Sequence, residues 1–456
     1  MAGGSLRRMS MSERREALIA RLPALAGLME EARESSSLEA LSELMVESPL
    51  GFFALPLGVA AGFVIDGQEI DIPLATEEPS VVAAASHAAG LVALGGGFVT
   101  ASEGDIVTAQ VWLEQVGPAG LASLSGGTSS GQNDMADVSK KVQYCDYENT
   151  VGTGAAYPLS DPLAARLGSL VNAALPSLVK RGGGYAGADV AVPGDPPGVV
   201  RVQIHIRVCD AMGANLANTA AEAAAPLLEE VSGGRALARI LTNDSGQRMA
   251  SASFALPVRC LRRAGIQGAE IARRIELFSR IAGADRTRAV THNKGIMNGV
   301  SALALATGND TRAVEAAAHL YACKSGRYLP LTTYRLDGDL LRGEISLPVP
   351  LGTASSTAAL HPGARLSLAV LGNPPAARLG RIAAALGLAQ NLAALAALVG
   401  EGIQAGHMRL HARRSAFLAG ARGAEIESVA GVIAREGQVT LDAARRVLNA
   451  LRRGGQ

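Results

Sequence analysis

The longest apolar run of the chain, residues 49–65, limits what the chain can fold into more than any other segment. It contains two prolines and three glycines, and it is shorter than the ~20 residues that cross a bilayer as a helix. The run therefore predicts a buried loop followed by a strand. The N-terminus carries Arg7 and Arg8 with no apolar stretch directly after them, which is not the pattern of a secretory signal. We expect a soluble, cytoplasmic protein without a membrane partner.

Composition limits the number of domains, the make-up of the core and the kinds of partner. A chain of 456 residues predicts two or three domains. Hydrophobic residues make up 48% of the chain but aromatic residues only 3%, so the core must be built from Ala, Leu, Val and Ile. Lys and Arg total 42 against 41 Asp and Glu, which gives no basic footprint for nucleic acid.

The four cysteines, Cys145, Cys209, Cys260 and Cys323, are widely separated and form no CxxC pair. Their spacing argues against a disulfide framework or a zinc ribbon and indicates reduced packing thiols.

Hydrophobic periodicity predicts mixed secondary structure. Residues 58–74 form a predicted hairpin because Asp66-Gly67 stands between two apolar runs. The polar, Gly- and Ser-rich stretch 121–160 is interpreted as a long loop or insertion. Strands are predicted at 105–116, 199–208, 236–242, 250–259 and, as a pair, 329–348. Helices are predicted at 80–94, 162–180, 217–231, 266–282, 310–323 and 375–400, followed by an Arg-rich helical tail at 401–456.

Two patterns with known chemistry are in the wrong context. Residues 182–187 match GxGxxG, but a predicted helix precedes them and no helix follows, so a simple loop is favoured over a dinucleotide fingerprint. His407 and His411 have the i, i+4 spacing of zinc ligands, but no third ligand is evident. A single catalytic histidine or a surface pair is favoured, and no metal is expected.

Residues 291–299, Thr-His-Asn-Lys-Gly-Ile-Met-Asn-Gly, are dense in small and polar side chains. We interpret them as a polar loop between two helices. A lysine among amides suits an anionic or developing oxyanion oxygen, although a solvated lysine in a turn would give the same pattern.

Three further segments fit ordinary helix-start or turn structure as well as a functional site. Residues 77–80, Glu-Glu-Pro-Ser, are typical of a helix start. Asp310 in Thr-Gly-Asn-Asp is a natural helix N-cap. The turn at residues 210–215, Asp-Ala-Met-Gly-Ala-Asn, lies between a predicted strand and a predicted helix, and it is either a phosphate cradle or a plain turn.

In combination and in this order, these segments resemble the soluble bacterial type, class II, of the 3-hydroxy-3-methylglutaryl-CoA (HMG-CoA) reductase family. The resemblance runs from about residue 47 to 423, with a break near 121–160. It implies an α+β fold: a large helical α+β domain interrupted by a small sheet-plus-helix cofactor domain, with a C-terminal helical flap. The implied boundaries are 1–104 and 248–400 for the large domain, 105–247 for the small domain and 401–456 for the flap.

The resemblance also implies the reaction, the interconversion of HMG-CoA and mevalonate plus CoA through mevaldehyde with two NAD(P)H. The residues that it implies as catalytic are Glu78, Lys294, Asp310 and His407. Lys294 would stabilise the oxyanion, and Asp310 would keep Lys294 charged and oriented. Glu78 would relay a proton, and His407 would protonate the CoA thiolate.

Binding residues carry over in the same way. The residues that match the family's substrate site are Ser80, Arg288 and Asn298. Those that would face the nicotinamide cofactor are Asp210, Ala211, Met212, Gly213, Ala214, Asn215 and Asn243. The family's dimer interface implies a homodimer or larger homo-oligomer.

Departures from the family pattern bear on the cofactor. Some relatives carry an acidic residue before the triple glycine that favours NAD, whereas Leu175 stands there in this chain with Lys180 and Arg181 nearby. The expectation is therefore NAD or NADP. A family Gly-Gly-Ala-Thr turn reads Ser-Ser-Thr-Ala at 355–358. The alternatives are a CoA-thioester-binding protein without redox activity, which should have lost a catalytic residue, and a non-catalytic scaffold.

Overall fold

The computed structural model describes residues 9–32, 41–126, 156–193, 195–263, 265–354, 356–400 and 403–453. The strands in these ranges are β1 (Leu57–Ile65), β2 (Gln68–Ala75), β3 (Val99–Glu103), β4 (Ile106–Glu114), β5 (Ala156–Pro158), β6 (Gly184–Ala191), β7 (Val200–Arg207), β8 (Arg235–Leu241), β9 (Met249–Pro257), β10 (Thr332–Asp337) and β11 (Leu340–Pro348).

The helices are α1 (Met11–Arg21), α2 (Leu25–Glu31), α3 (Val81–Ala93), α4 (Pro118–Ser125), α5 (Asp161–Ala174), α6 (Pro176–Val179), α7 (Ala214–Ser232), α8 (Gly268–Ala284), α9 (Arg286–Ala306), α10 (Thr311–Ala322), α11 (Ser356–Leu360), α12 (Pro362–Val370), α13 (Ala376–Val399), α14 (Ile403–Leu418), α15 (Ala424–Arg435) and α16 (Leu441–Arg453).

The predicted hairpin is confirmed. β1 pairs with β2 in antiparallel register, with Ile65 opposite Gln68 across the Asp66-Gly67 turn. Asp66 has a φ of 51° and Gly67 a φ of 78°, the positive values that a two-residue hairpin turn requires. The predicted strands at 199–208 and 250–259 and the predicted helices at 217–231 and 375–400 are also confirmed.

A four-stranded antiparallel sheet in the order β10-β11-β9-β3 forms the centre of the largest core. This core also includes the β1–β2 hairpin and helices α3, α8, α9 and α13. Its residues come from two parts of the sequence, one before and one after the strands of the five-stranded sheet described next. Helix α13 lies in its middle. It is long and apolar enough to cross a membrane, but 78% of its most apolar window is buried, which is the pattern of a core helix.

A five-stranded antiparallel sheet in the order β5-β6-β7-β4-β8 has a core of its own. Inward-facing side chains such as Val202, Ile204 and Ile206 of β7 pack against apolar positions of α5 and α7. The alternation of buried and partly buried residues along β7 is the period of two expected when one face of a sheet is covered by helices.

The last three helices, α14 to α16, share a third small core that includes Val429, Ile433 and Val447. The described residues therefore form three main centres of apolar packing, besides a small cluster around Leu18, Leu25 and Met29.

Four sequence-based interpretations need correction. The apolar residues before β1 are not a buried loop, because Leu50 and Phe53 are 107% and 91% exposed; the strand predicted after them is present as β1. The stretch 121–160 is not all loop: α4 extends to Ser125, and β5 begins at Ala156, while residues 127–155 lie outside the described residues. The GxGxxG match is not a simple loop, because residues 184–187 belong to β6; its helix-then-strand context still excludes the dinucleotide fingerprint. Residues 291–299 are not a loop but lie inside α9.

Helix α9 forms there because tertiary contacts outweigh weak helix propensity. The Asn293 side chain donates to the Leu329 carbonyl and accepts from the Leu331 N–H, both at 2.9 Å. A Cβ on Gly299 would lie 3.2 Å from Leu386, so this glycine lets α13 approach closely. Asn293 and Gly299 thus serve packing of the helix on its neighbours.

Candidate active site

Glu78, Lys294 and Asn298 meet at one point on the surface. Lys294 and Asn298 are one turn apart on α9 and share a face, and Glu78 follows β2 just before α3. Lys294 Nζ donates to Glu78 Oε2 at 2.8 Å, and Asn298 Nδ2 lies 3.4 Å from Glu78 Oε1. We call these three residues the lysine half-site.

The exposure of this cluster indicates a role other than stability. The Lys294 side chain is 61% exposed and that of Glu78 is 36% exposed. An ion pair so open to water adds about 0–1 kcal/mol to stability. A cation, a carboxylate and an amide gathered there can instead bind and polarise a carbonyl oxygen.

Ser80 stands beside this cluster in an unusual backbone conformation. It is the N-cap of α3 with a φ of 75°, in the left-handed region that a non-glycine residue rarely adopts. Its side chain makes no capping hydrogen bond, although serine is a preferred N-cap. The hydroxyl is therefore available to a ligand.

Arg288 lies nearer the start of α9, six residues before Lys294 and thus about 9 Å along the axis. Its guanidinium carbon is 4.7 Å from the centre of the Phe278 ring, and its buried Nε has no hydrogen-bond partner among the described residues. Burial lowers the pKa of Arg288. A half-buried cation with an unused donor can bind a carboxylate.

Asp310 is the N-cap of α10, as its sequence position predicted. Its Oδ1 accepts from the Arg312 N–H at 2.9 Å and the Ala313 N–H at 3.2 Å. The preceding Asn309 is buried, and its Oδ1 accepts from the Gly352 N–H at 2.7 Å. Asp310 is thus held at the loop between α9 and α10.

The turn at residues 210–215 leads from β7 into the N-terminus of α7. Gly213 is the N-cap with a φ of 101°, and a Cβ there would lie 2.7 Å from Val107. Asp210 and Asn215 are exposed. The free N–H groups at the start of a 19-residue helix favour an anionic or electron-rich ligand, so the turn fits a nicotinamide cofactor. Asn243 is exposed beyond the end of β8.

One chain does not bring Lys294 and Asp310 together. Twelve residues of continuous helix separate Lys294 from Ala306 at the end of α9, a rise of about 18 Å. Ser301 of α9 donates a hydrogen bond to Glu315 of α10, so α10 runs back beside α9. Asp310, at the start of α10, therefore lies near the end of α9 that is far from Lys294. Asp310 instead lies with the 210–215 turn, because Thr353 N–H donates to the Asp210 carbonyl at 2.9 Å and Gly352 contacts Asn309. We call the turn, Asn309 and Asp310 the cofactor half-site.

The expected orientation of Lys294 by Asp310 is therefore not found within a single chain. The side chain of the fourth catalytic candidate, His407, lies outside the described residues, although its position falls in α14. Within the described ranges, no group of three or more His, Cys, Asp or Glu residues could hold a metal ion.

The sequence and the fold were compared with those of known proteins. A sequence model for "Hydroxymethylglutaryl-coenzyme A reductase" matches residues 10–412. An Archaeoglobus fulgidus protein named 3-hydroxy-3-methylglutaryl-coenzyme A reductase is 40% identical over 415 residues, 90% of this chain and 86% of its own. The chain belongs to the hydroxymethylglutaryl-coenzyme A reductase family.

Further comparisons agree with membership of this reductase family. A Borreliella burgdorferi protein named a probable 3-hydroxy-3-methylglutaryl-coenzyme A reductase is 32% identical over 81% of this chain and 77% of its own. A structure of the reductase from Streptococcus pneumoniae superposes with a TM-score of 0.76 at 37% identity, covering 99% of this chain and all of that chain.

Another structure, titled as the class II reductase from Streptococcus pneumoniae bound to NADPH in open conformations, has a TM-score of 0.75, 37% identity and coverage of 88% of this chain and all of that chain. The resemblance seen in the sequence is therefore confirmed, and so are the α+β fold and an NAD(P)-dependent HMG-CoA reductase. None of these comparisons supports the alternative of a thioester-binding protein without redox chemistry.

Sequence reasoning missed two features of the cofactor half-site. The sequence pattern indicates no separate role for Asn309, next to Asp310, and none for residues 349–352. Close backbone approach occurs at Gly352, where a Cβ would lie 2.3 Å from Met212 N. A lone glycine between Leu351 and Thr353 was the available signal.

Proposed function

We propose that this reductase interconverts HMG-CoA and mevalonate with Glu78, Lys294, Asp310 and His407 as its catalytic residues. The observation that carries the proposal is the exposed contact of 2.8 Å between Lys294 Nζ and Glu78 Oε2, with Asn298 beside it. NAD(P)H, when bound, supplies the two hydrides that reduce the thioester carbon first to the aldehyde level and then to the alcohol.

The protein's own groups act on the oxygen that gains charge. Lys294 donates to the carbonyl oxygen as each hydride arrives, and a fixed cation there lowers the barrier. Glu78 shares the proton with Lys294 and delivers it to that oxygen. His407 protonates the departing CoA thiolate, and Ser80, Arg288 and Asn298 bind the substrate.

We propose that the complete active site is shared between two chains. Within one chain, α9 keeps the lysine half-site about 18 Å along its axis from the cofactor half-site. Hydride transfer needs the two reacting carbons about 3–3.5 Å apart. A twofold-symmetric dimer can place the lysine half-site of one subunit against the cofactor half-site of the other, and it does so twice.

An exposed apolar segment supports the homodimer. Between residues 44 and 57 the side chains of Leu44, Leu50 and Phe53 are 74%, 107% and 91% exposed, and Met45, Val46 and Leu57 are also exposed. This segment precedes β1 and β2, and β2 leads directly to Glu78. Contiguous apolar surface of this kind marks an interface, and a second copy of the chain beside the lysine half-site would cover it.

We infer that the cofactor is NADPH in preference to NADH. The Lys180–Arg181 loop lies beside the cofactor half-site, because the Arg181 carbonyl accepts from Cys209 Sγ at 3.6 Å, and Asp210 is the next residue. Both cations are exposed and can bind a ribose phosphate. Leu175, which stands where some relatives carry the ribose-binding acid, is buried in the small core and offers no carboxylate to the ribose hydroxyls.

We propose the domain boundaries that the family resemblance implies: 1–104 and 248–400 for the large domain, 105–247 for the small domain and 401–456 for the flap. Three separate cores support them. Cytoplasmic localisation is supported by Cys209, Cys260 and Cys323, which are free thiols.

The test is a spectrophotometric assay of purified protein with HMG-CoA and either NADPH or NADH. We expect loss of absorbance with both substrates present, in a stoichiometry of two cofactors per mevalonate. Well-folded protein that consumes neither cofactor would overturn the proposal.

A further inference from the structure

Arg248 is a buried cation whose hydrogen-bond acceptors are backbone carbonyls; burial lowers its pKa, and the Asp105 carboxylate is near enough to oppose that change. Only 6% of its surface is exposed. Its Nη1 donates to the Met212 carbonyl at 2.7 Å, and its Nη2 donates to the Leu351 carbonyl at 2.7 Å and the Ala211 carbonyl at 3.4 Å. Within the described ranges it forms no ion pair with a carboxylate. A buried charge is costly, so a cation held this way needs an explanation beyond stability.

The three carbonyls belong to two separate parts of the fold. Ala211 and Met212 lie in the turn that precedes α7 of the small sheet unit, and Leu351 follows β11 of the four-stranded sheet. Arg248 itself stands between β8 and β9, where the chain returns from one sheet to the other. Its guanidinium therefore bridges the two sheets at a point where the chain crosses between them.

The same bridge extends to the catalytic aspartate. Leu351 is followed by Gly352, whose N–H donates to Asn309, and Asn309 directly precedes Asp310. A Cβ on Gly352 would lie 2.3 Å from Met212 N, so the two segments are in direct backbone contact. Arg248, the turn at 210–215, Gly352 and Asn309 form one continuous packed unit.

The guanidinium stays charged in this setting. Burial lowers the pKa of Arg248 to about 10, which is still well above neutral pH. Its five N–H donors in a fixed planar arrangement can bind several carbonyls at once, whereas an ammonium group on a flexible stem cannot hold the same geometry.

We propose that Arg248 is a positioning residue for hydride transfer, fixing the cofactor-binding turn in place relative to Asn309 and Asp310. This inference rests on the proposed function, since it takes the turn at 210–215 to be where the nicotinamide binds. Arg248 touches neither substrate nor cofactor in this role. It acts through the backbone of Ala211 and Met212.

The test compares Arg248→Met, which keeps bulk but removes every donor, with Arg248→Lys, which keeps the charge. The matched control is Arg342→Met, since Arg342 is an exposed arginine paired with Asp337 at 2.7 Å on the hairpin of β10 and β11. Cofactor affinity is read from energy transfer between Trp112, the single tryptophan, and bound NADPH. Trp112 lies five residues along β4 from Val107, which contacts Gly213, a distance of about 17 Å.

We expect Arg248→Met to raise the NADPH dissociation constant about tenfold and to lower kcat up to about a hundredfold, since a misplacement near 1 Å costs that much. KM for HMG-CoA should change less than about twofold, because Arg248 hydrogen-bonds the cofactor-binding turn and none of the proposed substrate-binding residues Ser80, Arg288 and Asn298. Arg248→Lys should recover only part of the loss, and Arg342→Met should behave like the unchanged protein.

Asn309→Ala provides a second route if Arg248→Met fails to fold. It removes the contact with Gly352 at a residue that does not touch the 210–215 turn, and we expect it too to weaken NADPH binding several-fold. Unchanged NADPH affinity and kcat in folded Arg248→Met, or unchanged NADPH affinity in Asn309→Ala, would overturn the inference. If the protein without substitutions binds NADPH but shows no turnover, the proposed function is contradicted instead, so the two failures are distinguishable.

Discussion

Lys294 Nζ lies 2.8 Å from Glu78 Oε2, although 216 residues separate them in the chain. The pair joins the middle of α9 to the segment between β2 and α3, and both side chains are open to solvent. Such a contact adds little to folding, so its removal should affect chemistry rather than stability.

Lys294→Met should therefore lower kcat by about 10²–10³, because the developing oxyanion loses its cationic donor. Thermal unfolding should change little. Lys324→Met, at another exposed lysine, which stacks on Tyr321, is the control and should leave kcat unchanged. Steady-state turnover with NADPH measures both, and normal turnover in folded Lys294→Met would contradict the assigned role.

A shared active site predicts complementation between inactive variants. Lys294→Met and Asp310→Asn should each be nearly inactive, and asparagine retains the N-cap of α10. After unfolding and refolding of an equal mixture, half of the dimers contain one chain of each kind. One of their two sites then has both functional residues, so about a quarter of the original activity should return. If Lys294 and Asp310 acted within one chain, no activity would return on mixing.

Ser80→Ala should weaken the binding of HMG-CoA without lowering the stability of the fold. The hydroxyl makes no capping hydrogen bond, so the free energy of unfolding should change by less than about 0.5 kcal/mol, while KM for HMG-CoA rises. Ser86→Ala on the same helix is the matched control. Ser86 Oγ accepts from the Ala61 N–H and donates to the Val82 carbonyl, so its loss should cost about 1 kcal/mol and leave KM unchanged. Equal KM values for Ser80→Ala and the unchanged protein would exclude the substrate contact.

His292 should make the fold sensitive to acid. Burial lowers the pKa of this imidazole from 6.5 to about 3, and its Nε2 lies 2.5 Å from Thr332 Oγ1. The stabilisation that this neutral group contributes is complete above pH 6.5. Between pH 6.5 and 3 the unfolded chain binds a proton that the folded chain does not, so stability falls by up to about 1.4 kcal/mol per pH unit.

His292→Gln removes this titration and should flatten the pH dependence of unfolding in urea between pH 7 and 4, even if the variant is less stable overall. His411→Gln, at an exposed position, should leave the slope as it was. An unaltered slope in His292→Gln would mean that other groups account for the acid sensitivity.

Lys180→Glu with Arg181→Glu should change the cofactor preference. Both cations lie on the loop beside Cys209, and a carboxylate there repels a ribose phosphate while it can bind the two ribose hydroxyls. We expect kcat/KM for NADPH to fall at least about tenfold and that for NADH to change far less. An equal loss for both cofactors would indicate damage to the site rather than a change of preference.

Local signals predicted the elements whose structure depends on near neighbours. The hairpin follows from Asp66-Gly67, and the N-cap of α10 follows from Asp310, because turn and cap geometry involve only adjacent residues. The interior of α9 could not be predicted in that way. Asn293 and Gly299 look like loop residues until the segment before β10 and helix α13 are packed against them.

The role of Arg248 could not be predicted from the sequence, for a related reason. Its three carbonyl partners lie 36, 37 and 103 residues away, and a backbone carbonyl carries no sequence signal. The catalytic and binding residues were predicted from the family resemblance. The separation of Lys294 from Asp310, which supports the proposal of a shared site, could be seen only from the continuous helix α9.

The length of α9 has a consequence for how the reductase responds to dilution. If the two ends of this helix belong to different active sites, an isolated subunit has all the binding residues and no complete catalytic centre. Specific activity should then decline once the protein is diluted below the dissociation constant of the dimer, while NADPH binding by the separated subunits persists. Molecules that bind the apolar segment between residues 44 and 57 would act as inhibitors without resembling either substrate.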